Sequence, residues 1–261
     1  MSKAPARKNP TSTATTSETS ASKAPRNKTP HTKTIVLFGA SGGTGRAIVE
    51  QALARGHKVR GVERDPPHEL SRHERFEALG GDLLEGGLED VMEGADLVIS
   101  AVGIGRDPQT LLRPPPLYSG GAVNIIRAMR KVGLERLVTI SAAFADPEVN
   151  APAWFKAATF PLDRIFRQMG DMERVLGVCE DIEWTAVRPG WLLDRGLTRE
   201  YSVALDNLPS GTLRTRREDL AHFMLECAEN GLHIRETPFI ARSEGLTLES
   251  PPALIEELLP F

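Results

Sequence analysis

The sequence predicts an α/β domain, a doubly wound parallel sheet covered by helices on both sides, behind a disordered amino-terminal tail. Three observations predict it. From residue 34 onward short apolar runs alternate with helical stretches, and several runs are continuously apolar, as strands buried on both faces require. The first run enters a glycine-rich turn and then an amphipathic stretch, Thr34-Ile-Val-Leu-Phe-Gly-Ala-Ser-Gly-Gly-Thr-Gly-Arg-Ala-Ile-Val49. The first 33 residues, by contrast, contain no Leu, Ile, Val, Phe, Trp or Tyr. Such a segment buries nothing to offset its ordering entropy. The division is therefore a tail over 1–33 and a single domain over 34–261.

The expected elements follow in order. Strand Ile35–Phe38 leads to a helix over Gly45–Arg55, closed by Gly56. A second strand, His57–Glu63, ends in Arg64-Asp65-Pro66-Pro67, and Phe76–Leu79 reads as a short third strand. Leu88–Met92 reads as a short helix and Asp96–Val102 as a buried strand. A proline-rich loop precedes a helix over Ser119–Val132, closed by Gly133, and strand Arg136–Ser141 follows. An irregular stretch runs to Pro161, then a long helix over Leu162–Glu180 and a sixth strand, Trp184–Arg188, stopped by Pro189-Gly190. Beyond these, Tyr201–Leu205 and Thr237–Ala241 read as strands and Arg217–Glu229 as a helix with Leu220, Phe223, Met224 and Cys227 on one face. These closing elements are expected to cap the carboxyl edge of the sheet, where ligands of such folds bind.

Composition narrows the function classes. The chain is 40% hydrophobic and 26% charged, as expected for a soluble globular protein. No apolar run approaches the roughly 18–20 residues of a membrane span. Cys179 and Cys227 have neither metal-ligand spacing nor the makings of a disulfide framework, which points to a reduced, cytoplasmic protein. The tail holds seven Lys and Arg against Glu18, leaving 25 basic and 34 acidic residues in the body. An acidic body argues against nucleic acid as partner. The tail lacks the apolar face of a transit peptide and the apolar h-region of a secretory signal. It remains available to a protein partner.

The glycine turn carries the chemistry. Gly39 permits the tight turn off the first strand, Gly42 clears the approach of a pyrophosphate, and Gly45 lets helix and strand pack closely. The helix N-terminus behind Ser41, Gly43 and Thr44 then presents free N–H groups to phosphate. A strand before the turn and a helix after it are the context a dinucleotide site requires. At the end of the second strand Glu63 and Arg64 stand side by side: an acid there suits the ribose 2′-OH of NAD, an arginine the 2′-phosphate of NADP. Arg64 is the residue expected to select NADPH, against its alternative as a surface salt bridge.

The pattern Gly-Ala-Ser-Gly-Gly-Thr-Gly resembles the atypical short-chain dehydrogenase/reductases, whose fold is Rossmann-like. Within them the chain is similar to the NAD(P)H-binding branch of NmrA-like and flavin reductase-like proteins that includes biliverdin-IXβ reductase. The stretches Val138-Thr-Ile-Ser-Ala-Ala-Phe144, Asp171-Met-Glu-Arg-Val-Leu176, Trp184-Thr-Ala-Val-Arg-Pro-Gly190 and Arg217-Glu-Asp-Leu-Ala-His-Phe-Met224 carry the resemblance over nearly all of residues 34–243. It implies that Asp82 and Leu83 lie beside the adenine and that Ala101, Val102 and Gly103 pass beneath the ribose and phosphates. It also implies that Arg64 meets the 2′-phosphate and that Ser141 is the active-site serine. His222 falls in a matching helix stretch as a second catalytic candidate, with packing as its alternative.

The Tyr-x-x-x-Lys pair of most short-chain dehydrogenases is missing: Tyr118 is followed four residues later by Ala122, and Tyr201 by Leu205. A conjugated acceptor such as a flavin, quinone or tetrapyrrole takes hydride without a dedicated protein acid, which suits such a site. Trp154, Phe155, Phe160 and Trp191 are available either as an apolar wall for that ring or as core anchors. Ser141 would orient the nicotinamide amide or a substrate carbonyl, or merely cap its strand. Asn124 would hold backbone near the site or satisfy a local bond. The expectation is an NADPH-dependent reductase of a conjugated small molecule; the alternatives are a non-catalytic dinucleotide sensor and, more remotely, an epimerase.

Overall fold

The computed structural model describes residues 32–65, 73–105, 108–245 and 247–253. The expected tail lies outside these residues but for its last two, as do Pro66 and Pro67 after the second strand. In chain order the elements are β1 (Thr34–Phe38), α1 (Gly43–Ala54), β2 (Lys58–Glu63), β3 (Phe76–Gly80), α2 (Glu89–Met92), β4 (Leu97–Ser100), α3 (Pro108–Leu112), α4 (Leu117–Val132) and β5 (Arg136–Ile140). Then come α5 (Ala153–Thr159), α6 (Asp163–Gly177), β6 (Glu183–Pro189), β7 (Trp191–Leu193), β8 (Ser202–Ala204), β9 (Arg214–Arg216), α7 (Arg217–Asn230) and β10 (Phe239–Ala241). Short 3-10 turns cover Ala143–Ala145 and Phe160–Leu162.

The main sheet runs β3-β2-β1-β4-β5-β6-β10-β8. All neighbours pair in parallel except β8, which is antiparallel to β10. The chain order reverses between β1 and β4, and there the strand ends open a crevice. Alternating side chains divide the core. Ile35, Leu37, Leu97, Ile99, Val138 and Val187 pack with α1 and α7 on one face. Val36, Phe38, Val98, Leu137 and Ala186 pack with α2, α4 and α6 on the other. A strand with both faces covered needs an unbroken apolar run, and β4 is fully buried over Leu97-Val-Ile-Ser100.

Helix ends follow local chemistry. Gly133 and Gly231 close α4 and α7 in left-handed conformation, with φ of 75° and 61°. On α6, Ile165, Met169, Met172 and Leu176 bury one stripe at helical spacing. At the opposite pole from the crevice the buried Arg136 of β5 donates to the carbonyls of Cys227, Leu232 and Glu183 and to Thr185 Oγ1. It thereby ties the start of β5 and of β6 to the carboxyl end of α7 and the chain just after it.

Besides α3 within the stretch read as a proline-rich loop and the unexpected parallel pair of β7 and β9, the expectations differ from the structure in three places. The stretch read as irregular before Pro161 contains α5, because the fully buried Phe155 anchors it against Phe144 and Trp191, with ring centroids 4.6 and 5.8 Å away. The long helix starts at Asp163 and ends at Gly177, short of Glu180. The closing elements do not cap the carboxyl edge. Helix α7 lies on the sheet face beside α1, and β10 and β8 widen the sheet beyond β6. The apolar face of α7 finds an open sheet face to cover, which an edge would not offer.

A polar cluster ties the first strand to α7. His57, 3% exposed, accepts from the Lys33 amide at Nδ1 and meets Glu229 at Nε2, 3.1 Å away, and Arg55 donates to Glu229 at 2.9 Å. Burial opposes ionisation of Glu229, but His57 and Arg55 outweigh it and hold its carboxyl below the ordinary value. A depressed carboxyl stabilises the fold above its unfolded-state pKa and loses that contribution as pH falls through the folded value. Glu229→Gln is therefore expected to cost on the order of 1 kcal/mol at pH 7. Urea melts as a function of pH should show the gap to the parent protein closing below about pH 4.

Candidate functional site

A cavity of about 820 Å³ opens at the carboxyl ends of β1, β4, β5 and β6. Its floor is the β1–α1 turn. Gly39 has φ +81°, and a Cβ there would stand 2.7 Å from the Ala101 carbonyl oxygen. A Cβ on Gly45 would meet the Gly39 carbonyl oxygen at 1.9 Å. Only glycine allows the first turn of α1 to press so closely on the strand end. Ser41, Gly42, Gly43 and Thr44 line the cavity, with Gly45 behind them as packing. This is a cradle for a phosphate group at a helix N-terminus, and a dinucleotide fits it.

The other expected cofactor residues converge on the same space. Arg64, Asp82, Leu83, Ala101, Val102 and Gly103 all line it. Asp82 Oδ1 accepts from the Leu84 amide at 2.7 Å, and Asn124 Nδ2 donates to the Leu83 carbonyl at 2.7 Å. Asn124 thus holds backbone at the cavity rim. Glu63 also lines the cavity, and its Oε1 accepts from the Ser41 amide at 2.6 Å, so the acid at the end of β2 is tied to the glycine turn. Arg64 is exposed beside it.

Beyond the turn the wall becomes apolar: Phe144, Leu162, Ile165, Phe166, Met169 and Trp191. Of the aromatics singled out in sequence, only Trp191 faces the cavity. Phe155 is core, Trp154 packs on it at 5.7 Å between ring centroids, and Phe160 is 72% exposed. Phe144 and Phe166, 5.6 Å apart, take the place expected of them. Tyr118 lines the cavity with its hydroxyl bonded to the Ile104 backbone, and burial pushes its phenol up to about 12. A phenol so shifted is a poor proton donor at neutral pH.

Ser141 stands at the end of β5 in the cavity wall. Its Oγ donates to Glu173 Oε1 at 2.7 Å, and Arg188 faces both oxygens of that carboxylate, Nε to Oε1 at 2.9 Å and Nη2 to Oε2 at 2.7 Å. Arg188 Nη1 continues to Asp146 Oδ2 at 2.8 Å. The structure does not bring His222 to this site. Its Nδ1 is 2.8 Å from the Tyr201 hydroxyl on the outer side of α7, and burial followed by the nearby Arg55 lowers its pKa. Of the two catalytic candidates only Ser141 stands in the cavity wall, where its partner is Glu173, because α7 turns His222 away from the strand ends. Sequence reasoning missed Glu173 and Arg188. The signals were a charged residue inside the apolar strand Trp184–Pro189 and a carboxylate four residues after Met169 on the buried stripe of α6; buried charges need partners of opposite sign.

Comparison with known proteins agrees with this geometry. A sequence model of a family described as NAD(P)H-binding matches residues 39–231. An uncharacterized chloroplastic protein of Arabidopsis thaliana is 29% identical over 171 residues, 62% of this chain and 60% of that protein. The chain therefore spans about three fifths of that relative's length. A protein from Streptococcus pneumoniae described as a candidate NADH-flavin reductase aligns with a TM-score of 0.65 at 23% identity, covering 81% of this chain and 100% of that one. A short-chain dehydrogenase/reductase of Veillonella parvula, solved in complex with NADP, aligns at 0.67 and 17% identity, covering 81% and 95%. At these identities the likeness to solved structures establishes the fold. Among the described residues no helix is long and apolar enough to cross a membrane.

Two glycines, Gly45 behind the turn and Gly103 after β4, make a direct test. Gly45→Ala is expected to lower stability by about 1–3 kcal/mol, since the new Cβ must displace backbone. Gly103→Ala has no atom within 4 Å of its Cβ and should leave the melting temperature unchanged. Thermal unfolding of the two variants checks both.

Proposed function

Because this chain belongs to the family of NAD(P)H-binding proteins, we propose that it is an NAD(P)H-dependent reductase whose acceptor is a flat conjugated molecule, a flavin, quinone or tetrapyrrole. One observation carries the reading: a single cavity joins the glycine turn to an apolar, aromatic wall with Ser141 between them. Bound NAD(P)H supplies a hydride, which a conjugated ring accepts directly. The amides at the start of α1 hold the pyrophosphate, and Leu83 with the Asp82 turn supports the adenine. Phe144, Phe166 and Trp191 stack the acceptor ring and exclude water from it. Neither Tyr118 nor Tyr201 has the lysine partner that lowers a tyrosine pKa, so the acceptor takes its proton from solvent.

In this reading NADPH is the preferred cofactor and Arg64 meets its 2′-phosphate. A specific contact favours a second reading: Glu63, bonded to the Ser41 amide, stands where a carboxylate accepts from a ribose 2′-OH, which suits NADH. Oxidation of NADPH and NADH at 340 nm, with FMN, a quinone and biliverdin as acceptors, separates the possibilities. Arg64→Ala is expected to raise the KM for NADPH about tenfold and leave that for NADH unchanged. If Glu63→Gln instead impairs only NADH turnover, NADH is the cofactor. Tight cofactor binding with no oxidation across the panel replaces the reductase by a dinucleotide sensor.

A further inference from the structure

We propose that Glu173 is a positioning residue that fixes Ser141 as a hydrogen-bond acceptor, so that the cavity engages the carboxamide N–H of a nicotinamide there and rejects a carbonyl oxygen. This rests on the reading of the cavity as an NAD(P)H site. The argument is a count of donors and acceptors. Arg188 can only donate, and its guanidinium fork faces both oxygens of Glu173, the arrangement of an arginine with a carboxylate. An ionised carboxylate can only accept. The hydrogen in the 2.7 Å contact between Ser141 Oγ and Glu173 Oε1 is therefore the hydroxyl's own. A hydroxyl has one hydrogen, so Ser141 has only lone pairs left to offer a group in the cavity.

The arrangement is held from several sides. Arg188 is fixed by Asp146 at 2.8 Å and lies over the Phe239 ring, its guanidinium carbon 5.0 Å from the centroid. The Glu173 and Arg188 side chains are only 10% and 13% exposed, which limits competition from water. The backbone of Ser141 is set as well, its amide donating to the Val187 carbonyl at 2.7 Å. A ligand carbonyl brought to Ser141 would face lone pairs with lone pairs. A carboxamide NH2 finds an acceptor whose own hydrogen is already engaged. Of the two ligand groups that the position of Ser141 admits, an amide and a carbonyl, Glu173 selects the amide.

The test is a binding comparison between NADP and its 3-acetylpyridine analogue, which replaces the carboxamide NH2 by a methyl group. ADP-ribose, which lacks the nicotinamide, serves as the reference, and dissociation constants are read by calorimetry. The parent protein is expected to bind NADP about fivefold more tightly than the analogue, the effect of one hydrogen bond. Ser141→Ala should abolish that preference. Glu173→Gln, whose amide N–H can donate to Ser141 and free its hydrogen for the cavity, should reduce or invert it. ADP-ribose affinity should be the same in all three proteins, which a folding defect would not allow. Equal binding of NADP and the analogue by the parent protein overturns the inference while leaving the cofactor site intact. A preference that Ser141→Ala removes but Glu173→Gln leaves unchanged overturns the role of Glu173. Failure of the parent protein to bind either ADP-ribose or its 2′-phosphate overturns the reading of the cavity itself.

Discussion

The structure depends on one close approach. The β1–α1 turn is pressed against the end of β4 so tightly that a side chain at Gly39 would collide with the Ala101 carbonyl, and one at Gly45 with Gly39 itself. That contact decides where α1 begins and aims its first amides at the crevice. It also sets the glycine turn and the loop after β4 side by side as one rim. Without it, the two halves of the sheet would still pair, but the space between their ends would not be a cradle for a phosphate.

Around this contact the fold keeps charge out of its two apolar layers except where partners are supplied. Arg136 finds carbonyls at the end of α7. Asp219, fully buried in the first turn of α7, accepts from the amides of Thr198 and Arg199 and from the Thr198 hydroxyl, and so pins the loop after β7. Arg188 meets two carboxylates. For Arg188, burial works to lower the guanidinium pKa, and Glu173 and Asp146 outweigh it and leave it raised. Each buried charge thus does structural work at a pole of the sheet, and at the carboxyl pole that work reaches the cavity wall through Ser141.

Much of this was legible in the residues. The strands β1 and β4 are almost continuous apolar runs, β2, β5 and β6 are apolar runs broken by polar residues such as Arg60, Thr139 and Arg188, and the helices between them end at glycines, because local conformational chemistry and burial act on neighbouring residues. The phosphate cradle was legible for the same reason, since strand, turn and helix are contiguous. The aromatic wall was not: Trp154, Phe155 and Phe160 were equal candidates with Trp191 until the packing of α5 buried one, tilted one away and left one in solvent. Phe144 and Phe166 reach the cavity from the turn after β5 and from α6, segments more than 20 residues apart.

By itself, then, the sequence determined a doubly wound parallel domain, the location of its glycine cradle at the end of β1, and the want of a tyrosine–lysine pair. Each of these follows from residues near one another in the chain, whose conformation and burial are dictated by their own side chains. Only the tertiary structure decided which side of α7 carries His222, which aromatics face the cavity, and that Ser141 is partnered by Glu173 and Arg188. Those outcomes depend on where independently formed helices settle on the sheet, and on the need of each buried charge for an opposite one. Neither is a property of any single stretch of sequence.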